Sequence, residues 1–300
     1  MASGPMHPDE LHSDEGMVAR LVAAQFPRWA ALPVRRYDSA GTVNAIYRLG
    51  DELAARLPLR PGRDATLERV HRWLPRLAPR LPLETPEPLA TGDPGEGFPE
   101  RWCIHRWLEG EAPTPENVDL HQVAQALAAF ILALRAQDGT DGPQPGPDNY
   151  GRGVPLARRD DATRRAIKAS AGLVDVEAVT EAWEAALAAP AWDGAPTWLH
   201  GDLMPGNLLV RERRLVAVLD FGSLGLGDPA CDLMVAWNLL TPDARQVFRR
   251  EVAADDASWA RGKGWALSQG VIALPYYRET NPRLAALAKR TIEAVIADRV

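Results

Sequence analysis

The sequence predicts an α+β fold in two lobes, a small antiparallel sheet followed by a mainly helical half. Three patterns carry that reading. Short β-rich runs separated by turn residues fill the first third of the chain, near 33–37, 43–48, 53–57, 89–92 and 101–108. Stretches of helical periodicity dominate the remainder, the one at 115–137 being the clearest. Within that half lies a single hairpin pattern, with Leu208-Leu209-Val210 and the apolar run 215–219 on either side of the polar turn 211–214.

The elements follow in order. Residues 16–29 are amphipathic, with Met17, Leu21, Val22 and Phe26 on one side, and predict a helix that ends at Pro27. Residues 1–15 have no apolar core and are expected to be a frayed leader. A meander of strands comes next, broken by a turn at 38–42 and by Gly50-Asp51-Glu52. A helix is expected over 65–77, then a proline-rich passage over 79–88. The strand at 101–108 leads into Glu109-Gly110-Glu111. Thr114-Pro115 starts the helix 115–137, on which Val118, Val123, Leu127, Phe130, Ile131 and Leu134 recur at helical spacing. Residues 139–155 are full of glycine and proline and read as a loop. Further helices are expected at 159–170, 176–189, 232–240, 243–253, 258–274 and 282–297.

Two short acidic motifs flank the hairpin. The first is His200-Gly201-Asp202 with Asn207 five residues after the aspartate, and the second is Asp220-Phe221-Gly222. The Asp-x-x-x-x-Asn spacing matches a kinase catalytic loop, and Asp-Phe-Gly matches the metal-binding motif that follows it. Each alone is a weak signal, a turn or a capping aspartate. In this order, across a hairpin of this length, they point to phosphoryl transfer. That reaction needs positioning and charge neutralisation more than covalent chemistry. Asp202 fits the base, and Asn207 and Asp220 fit the two metal ligands. His200 reads as structural, and Asp228 and Asp232 as turn or bracing carboxylates. Only residues 221–229 separate Asp220 from the next helix, too few for a peptide-binding activation segment, which favours a small-molecule acceptor.

The run HGDLMPGNLLV followed by LDFGSLGLGDPACDL resembles the aminoglycoside phosphotransferase family, which shares the protein-kinase-like fold. The resemblance extends from about Ala40 to the C-terminal helices. It implies a nucleotide-binding lobe at 1–107 and a helical lobe at 108–300 that carries the catalytic loop and acceptor site. The turn before the second strand would cover the phosphates, with Ser39, Gly41 and Asn44 as contacts. Arg56 stands where the family usually has a lysine, with Glu68 of the following helix as its expected partner. Arginine there offers a planar fork rather than a point charge. Arg106, Trp107 and Leu108 take the place of the hinge, whose backbone would meet the purine. The resemblance implies Mg2+ and either ATP or GTP as donor. The acceptor is expected to be a cationic small molecule with a free hydroxyl, an aminoglycoside first. A macrolide, a cationic cyclic peptide, choline, homoserine or a sugar are the alternatives, and a nucleotide-binding pseudo-enzyme is a reading of another class. Asp148, Asp255, Asp256 and Glu279 are candidate carboxylates for its ammonium groups, or else helix caps. Tyr276 is a candidate stacking residue.

Composition is consistent with these readings. The chain has 300 residues, 46% hydrophobic, enough for one or two sizeable cores. The net charge of -6 argues against nucleic acid and suits a cationic ligand. No apolar run is long enough to span a membrane, and a cytoplasmic monomer or homodimer is expected. Cys103 and Cys231 show neither metal-ligand spacing nor a disulfide framework. Of the 34 basic residues, lysine occurs only at Lys168, Lys263 and Lys289, so 31 are arginine.

Overall fold

The computed structural model describes residues 9–38, 41–114 and 116–298. Five strands form one antiparallel sheet: β1 (Val34–Tyr37), β2 (Asn44–Leu49), β3 (Leu53–Pro58), β4 (Pro88–Gly92) and β5 (Trp102–Arg106). Their spatial order is β1-β2-β3-β5-β4. The first helix, α1 (Glu15–Gln25), is capped by Asp14, whose carboxylate accepts from the Met17 N–H at 2.7 Å. It stops before Pro27, as the sequence predicts, and a short 3-10 turn takes its place. Val18, Leu21 and Val22 of α1 pack on Tyr47, Leu57, Trp102 and Ile104 to form the sheet's own core.

A second helix, α2 (Asp64–Leu77), connects β3 to β4 and covers the sheet beside β5. Its apolar residues, Val70, Trp73, Leu74 and Leu77, do not join the sheet's core. They belong to the larger core of the helical half, where Trp73 meets Trp198 at 5.0 Å between ring centroids. One apolar stripe thus ties the sheet region to the catalytic region.

The helical half contains α3 (Leu120–Arg135), α4 (Asp160–Ala169), α5 (Val176–Ala188), α6 (Val235–Asn238), α7 (Pro242–Glu251), α8 (Asp256–Tyr277) and α9 (Pro282–Ala297). The bounds of α9 are those expected from sequence, with Asn281 capping Leu284 N–H at 3.1 Å. Two expectations need correction. The helix starting at Thr114-Pro115 begins instead at Leu120, because Asp119 caps it. Thr114 and Asn117 form their own turn through reciprocal hydrogen bonds. The helix expected at 232–240 is a 3-10 turn (Pro229–Met234) followed by the single turn α6, as Asp228 caps Ala230 N–H two residues on.

Four short strands complete the centre. β6 (Thr197–Leu199) pairs with β9 (Gly225–Gly227), and β7 (Leu208–Arg211) pairs with β8 (Arg214–Val218). The turn between β7 and β8 is Glu212-Arg213, both at positive φ (49° and 64°), the twist that a two-residue hairpin turn demands. Two connecting segments bracket this hairpin. Glu84 exchanges backbone hydrogen bonds with Val216 and Val218, and Glu111 with Val210.

Candidate active site

The loop between β6 and β7 carries the first acidic motif, and its geometry is fixed from below. The buried carboxylate of Asp232 accepts the N–H groups of His200 and Gly201 at 2.8 and 2.7 Å. Burial pushes the Asp232 carboxyl above the usual carboxylate range, opposed by those hydrogen bonds and by His200. Gly201 has φ +82°, and a Cβ there would lie 2.8 Å from the Ser223 carbonyl, so no other residue fits. The fully buried His200 ring stacks edge-on against Phe221 at 4.8 Å. Its Nε2–H donates to the Leu219 carbonyl at 2.9 Å, which leaves Nδ1 to accept from the Asp202 N–H at 3.2 Å. One imidazole therefore joins the backbone of the two acidic motifs. It moves no proton.

Each oxygen of Asp202 has a partner. Arg152 Nη2 lies 3.1 Å from Oδ1, and Asn207 Nδ2 donates to Oδ2 at 3.0 Å and to the Asp202 carbonyl at 2.9 Å. With its nitrogen engaged there, Asn207 has its amide oxygen to offer a cation. Asp220 sits in a left-handed conformation (φ 56°), with Arg56 Nη2 3.1 Å from Oδ1 and the Gly222 N–H at 3.3 Å. Arg56 comes from β3, where the sequence places it.

Glu68 does not hold Arg56. It pairs with Arg101 at 2.8 Å on the solvent side of α2, while Arg56 turns across the cleft to Asp220. Replacing Arg56 by alanine is expected to lower kcat/KM for the nucleotide by about 10²- to 10³-fold, the usual loss for a group that stabilises transferring charge. Glu68→Ala is expected to change it less than about twofold, as for an exposed ion pair. Steady-state kinetics of both variants check this. A larger loss in Glu68→Ala than in Arg56→Ala would reverse the assignment.

A cleft of about 490 Å³ opens beside Asp202 and Asp220. Its floor is apolar, with Met234, Ile272, Ala273, Leu284 and Leu287, and Tyr276 and Tyr277 stand at one side. The Tyr277 hydroxyl hydrogen-bonds Thr42, so the end of α8 touches the turn before β2. Among the described residues lining the cleft, the carboxylates are Asp202 and Asp220 and the cations are Arg60, Arg63, Arg152 and Arg159. Burial lowers Arg159 to about 10.

The other expected site residues divide. Tyr276 lines the cleft. Asp148 does not: its side chain is exposed, and its backbone carbonyl is gripped by Thr66 and Arg69 of α2 at 3.2 and 2.5 Å. Asp255 caps α8 through the Ser258 N–H, and Asp256 pairs with Arg249. Both sit at the opposite end of α8 from Tyr276, a helix roughly 30 Å long. Glu279 is exposed in the turn after α8 and does not line the cleft. Asn44 opens β2 and faces a smaller cavity under α2, while Gly41 lies in the turn before it. Ser39 lies outside the described residues. At the hinge, the Arg106 and Trp107 N–H groups already donate to the Glu87 and Glu52 carbonyls, at 2.9 and 2.7 Å. Those two amides are therefore turned into the protein, and Leu108 N–H is the hinge donor left outside these contacts. Arg152 is the residue that sequence reasoning missed. Its signal was an arginine between two glycines in the loop that reaches the cleft.

A five-stranded sheet joined to a helical half, with a His-Gly-Asp loop, an Asp-Phe-Gly carboxylate and a basic residue on β3, defines a kinase-like architecture. Residues 34–265 match the phosphotransferase enzyme family (APH), and the chain belongs to that family. The aminoglycoside 3'-phosphotransferase of Escherichia coli is 34% identical over 92 residues, which are 28% of this chain and 34% of that protein. The match thus spans about a third of the relative's length. Among solved structures, the GDP and kanamycin complex of APH(2")-IIia superposes with a TM-score of 0.72 at 17% identity, covering 94% of this chain and 99% of that one. The macrolide 2'-phosphotransferase MphH from Brachybacterium faecium does so with a TM-score of 0.60 at 23% identity, covering 94% and 98%. No helix of the described residues is long and apolar enough to cross a membrane.

Proposed function

We propose that this chain transfers the γ-phosphoryl group of ATP or GTP to a hydroxyl of a small antibiotic in the cytoplasm. The observation that carries the reading is that Asp202 and Asp220 line one cleft, with Asn207 hydrogen-bonded to Asp202 and Arg56 reaching Asp220 from the sheet. Asp202 accepts or orients the proton of the attacking hydroxyl. Arg152 and Asn207, one on each carboxylate oxygen, fix the direction in which it does so. Asp220 and the amide oxygen of Asn207 are hard oxygen donors of the kind Mg2+ takes, and Mg2+, when bound, supplies charge neutralisation for the phosphoryl group. Arg56 leaves Asp220 for the phosphates when nucleotide enters, a role its planar fork suits.

The family and the E. coli relative support an aminoglycoside acceptor. The lining of the cleft favours a second reading, a macrolide-like acceptor. Its floor is apolar, and its two carboxylates are already paired with Arg152 and Arg56, so a polycation would find little free negative charge.

Nucleotide turnover with Mg2+ against aminoglycosides, macrolides, cationic peptide antibiotics, choline and sugars tests both. Turnover stimulated by one class and lost in Asp202→Ala identifies the acceptor. Nucleotide binding without stimulation by any compound would reject the antibiotic-kinase reading and support a pseudo-enzyme.

A further inference from the structure

A second cluster of chemically competent side chains shares the cavity under α2 with Arg56 and Asp220 but includes neither Asp202 nor Asn207. Cys103 and His105 are two residues apart on β5, so they project from the same face of the sheet. That face is the one α2 covers, and α2 brings His71 down onto it. The candidate ligand atoms of His71, Cys103 and His105 all lie within 4.8 Å of one another. The two imidazole centroids are 5.5 Å apart. All three residues line the cavity under α2, a space of about 60 Å³.

Three of the four ring nitrogens here lack protein partners among the described residues. His105 is 3% exposed, and neither of its ring nitrogens has a hydrogen bond among the described residues. Nε2 of His71 is also buried without one. Buried polar atoms left unpaired are destabilising, which marks the position as built for something that completes it. The remaining nitrogen of His71 is oriented. Thr91 Oγ1 lies 3.1 Å from Nδ1, and by accepting Nδ1–H it leaves the Nε2 lone pair facing the cluster. Cys103 is a free, buried thiol.

Two imidazoles and one sulfur are a borderline-soft donor set. They suit Zn2+ and discriminate against the Mg2+ that the oxygen donors of Asp220 and Asn207 would take. We propose that His71, Cys103 and His105 form a zinc-type site that clamps α2 to β5. Three protein ligands leave the fourth tetrahedral position for a water in the cavity. On binding, the Cys103 S–H bond breaks, the sulfur–metal bond forms, and one proton is released to solvent. The clamp would act on phosphoryl transfer only through position. Thr66 and Arg69 of the same helix hold the Asp148 carbonyl of the loop that carries Arg152.

The site is tested with the untagged full-length protein, stripped with a chelator and titrated with Co2+ in excess Mg2+. The expected result is one equivalent of Co2+ bound, with sulfur-to-cobalt charge-transfer absorption and tetrahedral ligand-field bands, both displaced by Zn2+. Cys103→Ala should abolish the charge-transfer band while leaving the circular dichroism unchanged. Should that variant fail to fold, Thr91→Val keeps all three ligands and is expected to weaken Co2+ binding by about 10- to 100-fold. No charge-transfer band in the wild-type protein, a band that survives in folded Cys103→Ala, or unchanged affinity in Thr91→Val would each overturn the proposal. None of these readouts depends on an acceptor substrate, so the site can fail without touching the functional reading.

Discussion

Replacing Asp202 by asparagine is expected to lower kcat by about 10²- to 10⁴-fold, the range for a general base or proton-orienting group. The substitution is close to isosteric, so the loop held by Asp232 and His200 should keep its shape. The carboxylate charge disappears. Arg152, whose side chain is 10% exposed, then loses its counter-ion at 3.1 Å. Nucleotide affinity should change little, since Arg56 and Asp220 are untouched. Isothermal titration with nucleotide, alongside steady-state kinetics on the acceptor identified by the panel, separates the two effects. A kcat within tenfold of the wild type would remove Asp202 from the reaction.

Replacing Asp228 by alanine is expected to destabilise the fold by about 3–5 kcal/mol, the typical cost of removing one partner of a buried ion pair. Arg261 Nε lies 2.8 Å from Asp228 Oδ2, and Nη2 lies 3.3 Å from Oδ1, with side chains 4% and 3% exposed. Without Asp228, the hydrogen-bond acceptors left to Arg261 among the described residues are the Pro190 carbonyl and the Ser258 hydroxyl. Neither neutralises its charge. At about 2 °C per kcal/mol for a chain of this size, thermal unfolding should drop by roughly 6–10 °C. The double variant Asp228→Ala/Arg261→Met should recover much of that loss, because it leaves no buried charge behind. Denaturant unfolding measures both. Equal stability of the single and double variants would show that the charge is not the cause. Activity should fall with stability here. Asp228 caps the 3-10 turn that carries Asp232, and Asp232 holds the catalytic loop.

These effects depend on residues of unequal visibility in the sequence. The hairpin, its two acidic motifs and helix α9 were legible because each is specified locally: by alternation, by spacing, and by a cap with an apolar stripe. The start of α3 was misplaced because Thr114-Pro115 imitates a helix start while Asp119, five residues after Thr114, supplies the cap. Arg56 was found from its position on β3, but its partner was not. Which carboxylate a long arginine reaches is decided by the packing of α2, which no local pattern encodes. Asp255 and Asp256 failed as acceptor ligands for a related reason. Their capping and ion-pair roles are local, while distance from the cleft is a property of the whole helix. The Arg152–Asp202 contact and the His71–Cys103–His105 cluster were invisible because their members come from segments that meet only in the folded molecule.

The choice of arginine at position 56 has a practical corollary in chemical labelling. Probes that find nucleotide sites by delivering an acyl group from the phosphate end of the nucleotide need a primary amine within reach. Beside Asp220 this chain offers Arg56 and Arg63, and a guanidinium is a poor nucleophile toward such a group. The three lysine amines sit at Lys168 in α4, Lys263 in α8 and Lys289 in α9, and none of them borders either cavity. A probe of that kind would meet no lysine at either cavity of this chain.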